Sequence, residues 1–317
     1  MDNHSKYKRL LVTGGAGFIG SEFVRMACQG YLSGSEFESI TILDDLTYAG
    51  DLRRLRTVET FPNYLFHKGN ICDKSILENS RGAFDAIVHF AAESHVDRSI
   101  DKPEIFLETN IFGTKNMLDL AKLDQIPIVL VSTDEVYGPI LEGSVEETYP
   151  LLPSSPYSAS KASADLLALA YFTTYGVDVR ITRCVNNFGR YQNDEKFIPQ
   201  VVKNITNNTP IRIYGDGENI RDWIHLSDHC DAIGHVLASG SAGQIYNIGN
   251  DDFYTNLEIV SLIGNFMSVK KPKIEFVPDR LGHDRRYAVN SSKIKEELGW
   301  VPKKKLAVSL QEFFDKL

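Results

Sequence analysis

The feature that most constrains this chain is a short stretch, Lys8 to Thr13, that reads as a buried strand and runs without a spacer into Gly14-Gly15-Ala16-Gly17-Phe18-Ile19-Gly20. A helical pattern follows at once, from about Phe18 to Gln29. A strand that leads straight into a helix returns to its sheet as a parallel neighbour, because only a crossover of that length can join parallel strands. The same alternation recurs. Ser39 to Asp44, Ala86 to Ala91, Ile126 to Ser132, Val177 to Arg183 and Gln244 to Ile248 are further apolar stretches, with a helix from about Glu104 to Leu123 among them. The runs are continuous rather than alternating, as expected where helices cover both faces of a sheet. The expected class is α/β, a doubly wound parallel sheet. After about Asn186 the pattern loosens into loops rich in Asn, Gly, Pro and Arg. That part reads as a smaller α/β lobe interleaved with the last strands. The expected division is 1–185 plus about 222–251 for the sheet, and about 186–221 and 252–317 for the smaller lobe. The 317 residues suffice for more than one compact unit.

Gly15, Gly17 and Gly20 match G-x-G-x-x-G, and Gly14, Gly17 and Gly20 give a wider glycine frame. Without Cβ atoms the backbone can turn tightly and approach a pyrophosphate, to which the following helix presents its free amides. The motif is informative here because it follows a strand and opens a helix, which makes this a Rossmann-type turn. Asp44 ends the second strand, where an acidic side chain can hold the adenosine ribose hydroxyls and repel a 2′-phosphate. NAD is therefore expected rather than NADP. Gly69-Asn70-Ile71 and Phe90-Ala91-Ala92-Glu93-Ser94 close later strands and face the same crevice. The candidate dinucleotide residues are Gly14, Gly17, Phe18, Ile19, Gly20, Asp44, Asn70, Ile71, Ala91, Ala92 and Ser94.

Tyr157 and Lys161 are four apart in Tyr-Ser-Ala-Ser-Lys, which puts both on one face of a helix that Pro153-Ser154-Ser155-Pro156 starts. A tyrosine near pKa ~10 is a poor base at neutral pH. A nearby ammonium and a positive nicotinamide ring would lower that value. Both residues join the cofactor candidates for this reason. Val131-Ser132-Thr133-Asp134-Glu135 closes an apolar strand. Thr133 offers a hydroxyl to a substrate hydroxyl. Asp134 and Glu135 place two carboxyl groups in the crevice, where neighbouring carboxyls can take different pKa values, one acid and one base.

These residues resemble the extended short-chain dehydrogenase/reductase family, and within it the nucleotide-sugar 4,6-dehydratases. The resemblance runs from about Lys8 to the end. It includes TGGAGFIGS, LTYAG, AAESHVDRS, STDEVYG, SPYSASKASAD, CVNNFG, EKFIP, IYGDGENIRDWIH and GHDRRY. Epimerases and reductases share the glycines and Tyr-x-x-x-Lys, whereas the Asp134–Glu135 pair points to dehydration. The resemblance implies that Tyr157 takes the C4 hydroxyl proton while NAD takes the C4 hydride, with Lys161 and Thr133 in support. It implies that Glu135 removes the C5 proton, that Asp134 protonates the departing C6 hydroxyl, and that the hydride returns to C6. It assigns the nucleotide diphosphate and base of a nucleotide-sugar substrate to Asn187, Glu195, Lys196, Tyr214, Arg221 and Asn256. It adds His283, Arg286 and Tyr287 from the late Gly-His-Asp-x-Arg-Tyr motif. In the family the two long helices pair across a dimer, so a homodimer is expected. Five positions depart from the pattern: Asn70 (usually Asp), Val185 (usually small and polar), and Arg190, Arg212 and Leu281 (commonly Pro). A UDP-sugar 4-epimerase, a 5,6-dehydratase and a catalytically silent nucleotide-binding protein are the rival readings.

The net charge of −8 argues against a nucleic-acid surface or a polybasic membrane patch. No apolar run approaches the ~20 residues of a membrane span. The N-terminal residues carry no signal-peptide pattern. Cys28, Cys72, Cys184 and Cys230 have no metal-like spacing and read as reduced, mostly buried thiols of a cytoplasmic protein. His89 sits inside an apolar strand and reads as a core histidine. Lys303-Lys304-Lys305 reads as a solvated turn.

Overall fold

The computed structural model describes residues 6–32 and 36–314. The extreme N-terminal residues and the last residues of the smaller lobe lie outside the described residues. The large sheet is built from β1 (Arg9–Thr13), β2 (Ser39–Asp44), β3 (Tyr64–Lys68), β4 (Ala86–His89), β5 (Ile128–Thr133), β6 (Val179–Cys184) and, much later, a strand at Ile245–Ile248. Its order is Ile245–Ile248, β6, β5, β4, β1, β2, β3, and every pairing is parallel. Helices α1 (Phe18–Cys28), α2 (Lys74–Asn79), α3 (Val96–Asp101), α4 (Pro103–Leu107), α5 (Thr114–Asp124) and α6 (Pro156–Tyr175) fill the crossovers of its first six strands. This is the doubly wound sheet that the sequence alternation required. Neighbouring residues of one strand serve opposite cores. Leu10 and Val12 pack with Phe23 and Val24 of α1, whereas Leu11 packs with Met117 of α5 and Ala164 of α6. That is why the strands read as unbroken apolar runs.

Beyond β6 the chain builds small sheets. β7 (Asn186–Phe188), α7 (Phe197–Thr206), β8 (Ile211–Tyr214) and β9 (Ile220–His225) lead into α8 (Leu226–Ser239). Helix α8 and β10 (Ile245–Ile248) rejoin the large sheet. β11 (Phe253–Thr255), α9 (Asn256–Phe266) and β12 (Ile274–Val277) complete two sheets, β11-β9-β7 and β12-β8. Their core includes Phe188, Ile198, Trp223 and Ile259. The reading found β1, β2, β4, β5, β6 and β10. It named neither β3, a half-exposed edge strand, nor the strands of three to six residues in the small sheets.

The helix expected over about 104–123 is three pieces. Between α4 and α5, Glu108–Gly113 is wound as a π-helix. The wide turn carries Asn110 inward, where its Oδ1 accepts from the Glu93 amide (2.8 Å) and its Nδ2 donates to the Glu93 carbonyl (3.0 Å) and Ser160 Oγ (2.8 Å). A π-bulge is a common way to re-aim one side chain within a helix, and here it secures the loop after β4. His89 is buried between the hydroxyls of Thr13 (2.6 Å) and Thr114 (3.0 Å). Burial pulls its pKa down to about 3, so it is a neutral core residue. The Lys303–Lys305 turn is more tied down than expected, since the Lys303 and Lys304 amides both donate to buried Asp228 at 2.8 Å. Among the described residues no helix is long and apolar enough to cross a membrane.

Strand β6 buries two arginines. Arg183 Nε donates to Asp165 Oδ2 on α6 at 2.8 Å, and its Nη1 to the Tyr137 hydroxyl at 2.9 Å. Both members of the ion pair are almost fully buried. Removing one partner leaves an uncompensated buried charge, which costs about 3–5 kcal/mol. Asp165→Ala is therefore expected to lower the unfolding free energy by roughly that amount, read from the midpoint of a urea melt. A loss no larger than that of an ordinary surface substitution would refute this account of the pair.

Candidate active site

A single crevice runs along the C-terminal ends of β1, β2, β4, β5 and β6. Every candidate dinucleotide residue lines it, and so do Thr133, Asp134, Glu135, Tyr157 and Lys161. At one end lies the glycine turn. Gly14 has φ +70°, and a Cβ there would sit 2.5 Å from the Ala91 amide nitrogen; one on Gly20 would sit 2.3 Å from the Gly14 carbonyl oxygen. The turn is thus as tight as a backbone can make it. Helix α1 opens at Gly17 with no side-chain cap and no acidic residue in its first turn. Its first amides and the positive end of its dipole remain available to an anion in the crevice. The Asp44 carboxyl accepts from the amides of Ala16 and Leu46, both at 2.8 Å. A carboxylate retains acceptor capacity beyond two such bonds. These features fit a dinucleotide: a phosphate cradle, then an acidic acceptor one strand away.

Asn70 is a departure that the structure explains. Its Nδ2 donates to Asp45 Oδ2 at 2.9 Å, and its Oδ1 accepts from the Cys72 amide at 2.8 Å. An aspartate at 70 would turn a carboxylate toward Asp45, where the amide now supplies a donor.

At the other end of the crevice, β5 stops at Thr133 and the chain enters a 3-10 turn, Asp134–Tyr137, which aims the two carboxyl groups. The Thr133 hydroxyl donates to Asp134 Oδ1 at 3.3 Å and accepts from the Glu135 amide at 3.3 Å. Asp134 is only 3 % exposed, and its Oδ2 is buried with no hydrogen-bond partner among the described residues. Burial, reinforced by Glu135 and Asp222 and opposed by Arg221, raises its pKa well above the ordinary carboxyl value. Glu135 is also raised by burial, but Arg280, Arg221 and Lys196 all oppose the shift. The two carboxyls therefore differ in surroundings: burial and a neighbouring carboxyl push Asp134 away from its charged form, whereas three cations oppose the shift at Glu135. That is the division one acid and one base require.

Tyr157 and Lys161 lie on the first turns of α6, started by the Ser155–Ser158 capping box with Pro156 behind it. The structure modifies one expectation. Lys161 Nζ donates to the Val131 carbonyl at 2.8 Å. Burial of Tyr157 raises its hydroxyl pKa strongly, with Glu135 adding to the shift and Thr133 opposing it. Burial also lowers the Lys161 ammonium, to about 8, with Asp165 opposing. In this arrangement the tyrosine is a neutral phenol.

The residues assigned to the nucleotide sugar are more scattered. Asn187 and Lys196 line the crevice, and Lys196 Nζ donates to the Ser94 carbonyl at 3.2 Å. Arg221 is buried beside it, with its guanidinium 4.4 Å from the Tyr287 ring centroid and donating to the Asp284 carbonyl at 2.9 Å. Tyr287 donates to Asp284 Oδ2 at 2.6 Å. His283 stands against Tyr214, ring centroids 6.1 Å apart, and hydrogen-bonds Asp279. Asn256 begins α9, where its amide donates to the Asn219 carbonyl at 3.2 Å. Glu195 meets Arg98 at 3.1 Å. Arg286 faces elsewhere: it donates to the carbonyls of Ile140 (3.0 Å) and Gly143 (2.7 Å) and clamps that loop. Arg280, whose charge bears on Glu135, and Tyr48, which hydrogen-bonds Glu93, were not among the expected site residues, and Glu93 was expected only to face the crevice. All three belong to quoted or adjacent motif residues, and the late arginine directly precedes Leu281-Gly282-His283-Asp284.

A parallel seven-stranded sheet with this glycine turn, and with Thr, Tyr and Lys converging two strands away, defines the extended short-chain dehydrogenase/reductase class. Within that class, the chain belongs to the GDP-mannose 4,6 dehydratase family, whose model matches residues 11–313. The dTDP-glucose 4,6-dehydratase of Streptomyces niveus is 47 % identical over 305 residues, 96 % of this chain and 91 % of that one. The crystal structure of DesIV, a dTDP-glucose 4,6-dehydratase from Streptomyces venezuelae with NAD and a second ligand bound, superposes with a TM-score of 0.94 at 48 % identity. It covers 97 % of this chain and 96 % of that one. The dTDP-glucose 4,6-dehydratase of Bacillus anthracis in complex with NAD gives a TM-score of 0.89 at 46 % identity, covering 97 % of this chain and 96 % of that one.

The buried Asp134 carboxyl has a measurable consequence. A group whose folded pKa lies above its unfolded value of ~3.9 penalises folding once the pH exceeds the unfolded pKa, and the penalty grows until the folded pKa is passed. Asp134→Asn keeps the shape without the titration. It is expected to raise thermal stability at neutral pH, by an increment that vanishes below about pH 4. Melting temperatures of both proteins from pH 3 to 8 test this; an increment that does not change with pH would contradict it.

Proposed function

We propose that this protein is an NAD-dependent lyase that dehydrates dTDP-glucose to dTDP-4-keto-6-deoxyglucose. The observation that carries the proposal is the Asp134–Glu135 pair at the end of β5, which lines the crevice together with Tyr157, in a chain so similar to dTDP-glucose 4,6-dehydratases. NAD, when bound, supplies the chemistry of removing hydride from C4 of the sugar and returning it to C6. The protein's own residues handle the protons. With the positive nicotinamide ring of NAD and the Lys161 ammonium beside it, Tyr157 would ionise, and its phenolate Oη takes the C4 hydroxyl proton and becomes the neutral phenol. Thr133 orients the same hydroxyl. Glu135 takes the C5 proton, which the C4 ketone has made acidic. Asp134, whose protonated form burial favours, gives its proton to the C6 oxygen as water leaves.

In this reading, residues 1–185 and about 222–251 hold the dinucleotide, and about 186–221 and 252–317 hold the nucleotide sugar. The small-sheet strands β7, β8, β11 and β12 fall inside the second part, while β9 (Ile220–His225) runs across its boundary at 221. Arg221, Lys196 and Asn187 serve the diphosphate, and Tyr214, Asn256 and His283 the base. Arg286 and Tyr287 act through the loop and the aspartate they hold. The protein works in the cytoplasm as a homodimer. Support for the dimer comes from apolar side chains left exposed on adjoining helical segments, including Ile105, Leu107, Phe112 and Leu166. Light scattering should give twice the chain mass, and Phe112→Asp should reduce it to one; a monomeric wild type would overturn the dimer.

The decisive experiment is incubation with dTDP-glucose deuterated at C4. The product should be lighter by one water, with the label at C6 of the same molecule and a solvent proton at C5. Glu135→Gln should lower turnover by roughly two to four orders of magnitude and abolish exchange at C5. Label retained at C4 with the C6 hydroxyl intact would mean epimerisation, and the dehydratase reading would fall.

A further inference from the structure

Residues 190–196 belong to the small lobe, yet they are held by three arginines from outside it. Arg25 of α1 lies over the Tyr191 ring, 5.2 Å from its centroid. Arg98 of α3 donates to Glu195 at 3.1 Å. Between them, Arg54 donates to Asn193 Oδ1. Arg54 is the unusual member. It is only 9 % exposed, and Asn193 is one of three acceptors that share its guanidinium. The others are the carbonyl of Ala16 in the glycine turn (3.0 Å) and that of Ala49. Arg25 in turn donates to the Arg54 carbonyl at 2.6 Å and so fixes the backbone that presents it.

Two of these acceptors, the Ala16 and Ala49 carbonyls, belong to segments folded against Asp44. The Ala16 and Leu46 amides occupy its two oxygens. Leu46 adopts a left-handed φ of 56°, and a Cβ on Gly50 would lie 2.7 Å from Asp44 Oδ1. The loop from Asp44 to Gly50 is therefore closely folded against the carboxyl, and Ala49, Gly50 and Asn193 all line the crevice. A lysine would carry the same charge but could not span three acceptors set around it, because its donors radiate from one nitrogen. Without the guanidinium, the glycine turn, the loop after β2 and residues 190–196 would lose their common tie, and two carbonyls would be left without it.

We infer that Arg54 is a positioning residue for the dinucleotide: it locks three walls of the crevice around the Asp44 end and so makes the bound cofactor slow to exchange. This rests on the reading of the crevice as an NAD site. It goes beyond that reading by assigning retention to a residue that lies away from Tyr157 and the carboxyl pair. Retention matters to such an enzyme, because a cofactor that is restored in every cycle has no need to leave.

The test measures the cofactor directly. Wild type, R54A, R54K and N193A are dialysed, and the dinucleotide released on denaturation is quantified by chromatography alongside the dissociation constant for added NAD. Losing one or more charge-assisted hydrogen bonds should weaken NAD binding roughly ten- to a hundredfold in R54A. R54K should fail to restore it, N193A should show a smaller loss, and excess NAD should restore turnover to R54A. A merely structural role would lower the melting temperature without this rescue. An R54A that folds and holds NAD as tightly as wild type overturns the inference. If R54A does not fold, N193A decides, and wild-type retention in N193A overturns it. A wild type that neither carries nor binds NAD overturns the cofactor reading, and this inference with it.

Discussion

Gly14 approaches the backbone of Ala91 so closely that a methyl group would lie 2.5 Å from its amide nitrogen. That contact joins the end of β1 to the end of β4, and the order β4-β1-β2 marks the place where the sheet changes direction. At such a switch the loops after neighbouring strands part to opposite sides and leave a crevice. The glycine turn, Asp44, the carboxyl pair, Tyr157 and Lys161 are all arranged along it. The glycine turn needs the crevice because its amides would otherwise be covered. The carboxyl pair needs it because β5 is the next strand beyond β4, a strand spacing or two from the turn.

The catalytic end contrasts with the core around it. Asp134 is buried against an opposing Glu135, whereas the equally buried Asp165 has a guanidinium at 2.8 Å; each leaves one carboxyl oxygen without a hydrogen-bond partner among the described residues. The first arrangement disfavours the charged form and keeps a proton ready to donate. The second ties α6 to β6. Since α6 carries Tyr157 and Lys161, the structural ion pair also holds the helix that carries the phenol.

The fold was legible because its signals are local and repeated. The β1 to α1 junction, the continuous apolar strands and the capping sequence before Tyr157 each bear on one element and agree with one another. The small-lobe strands were not legible, being three to six residues long and bounded by loops, so they carry too little period to read. The break at Glu108–Gly113 escaped for a different reason: the apolar spacing continues through it, and only the inward turn of Asn110 toward Glu93 betrays the π-helix. Within the site, residues on strand ends fell where the reading had them, because a strand end has a fixed relation to the crevice. Residues in the late loops did not share that advantage. Arg221 and Arg286 both lie in quoted motifs, yet the first turns toward Tyr287 and the carboxyl pair and the second clamps the carbonyls of Ile140 and Gly143.

The separation of the proton-handling groups between two elements has its own logic. Oxidation at C4 and elimination across C5 and C6 act on atoms at different distances along one sugar ring, so one rigid element cannot serve both. Tyr157 comes from α6, whose position is set by the core beneath it. Asp134 and Glu135 come from a 3-10 turn that begins where β5 leaves the sheet. Thr133, the last residue of the strand, stands between the two: its hydroxyl donates to Asp134 at 3.3 Å and opposes the pKa rise at Tyr157. Under the proposed function, a C4 hydroxyl held at Thr133 would lie in register with both, which turns positioning at one atom into alignment at three.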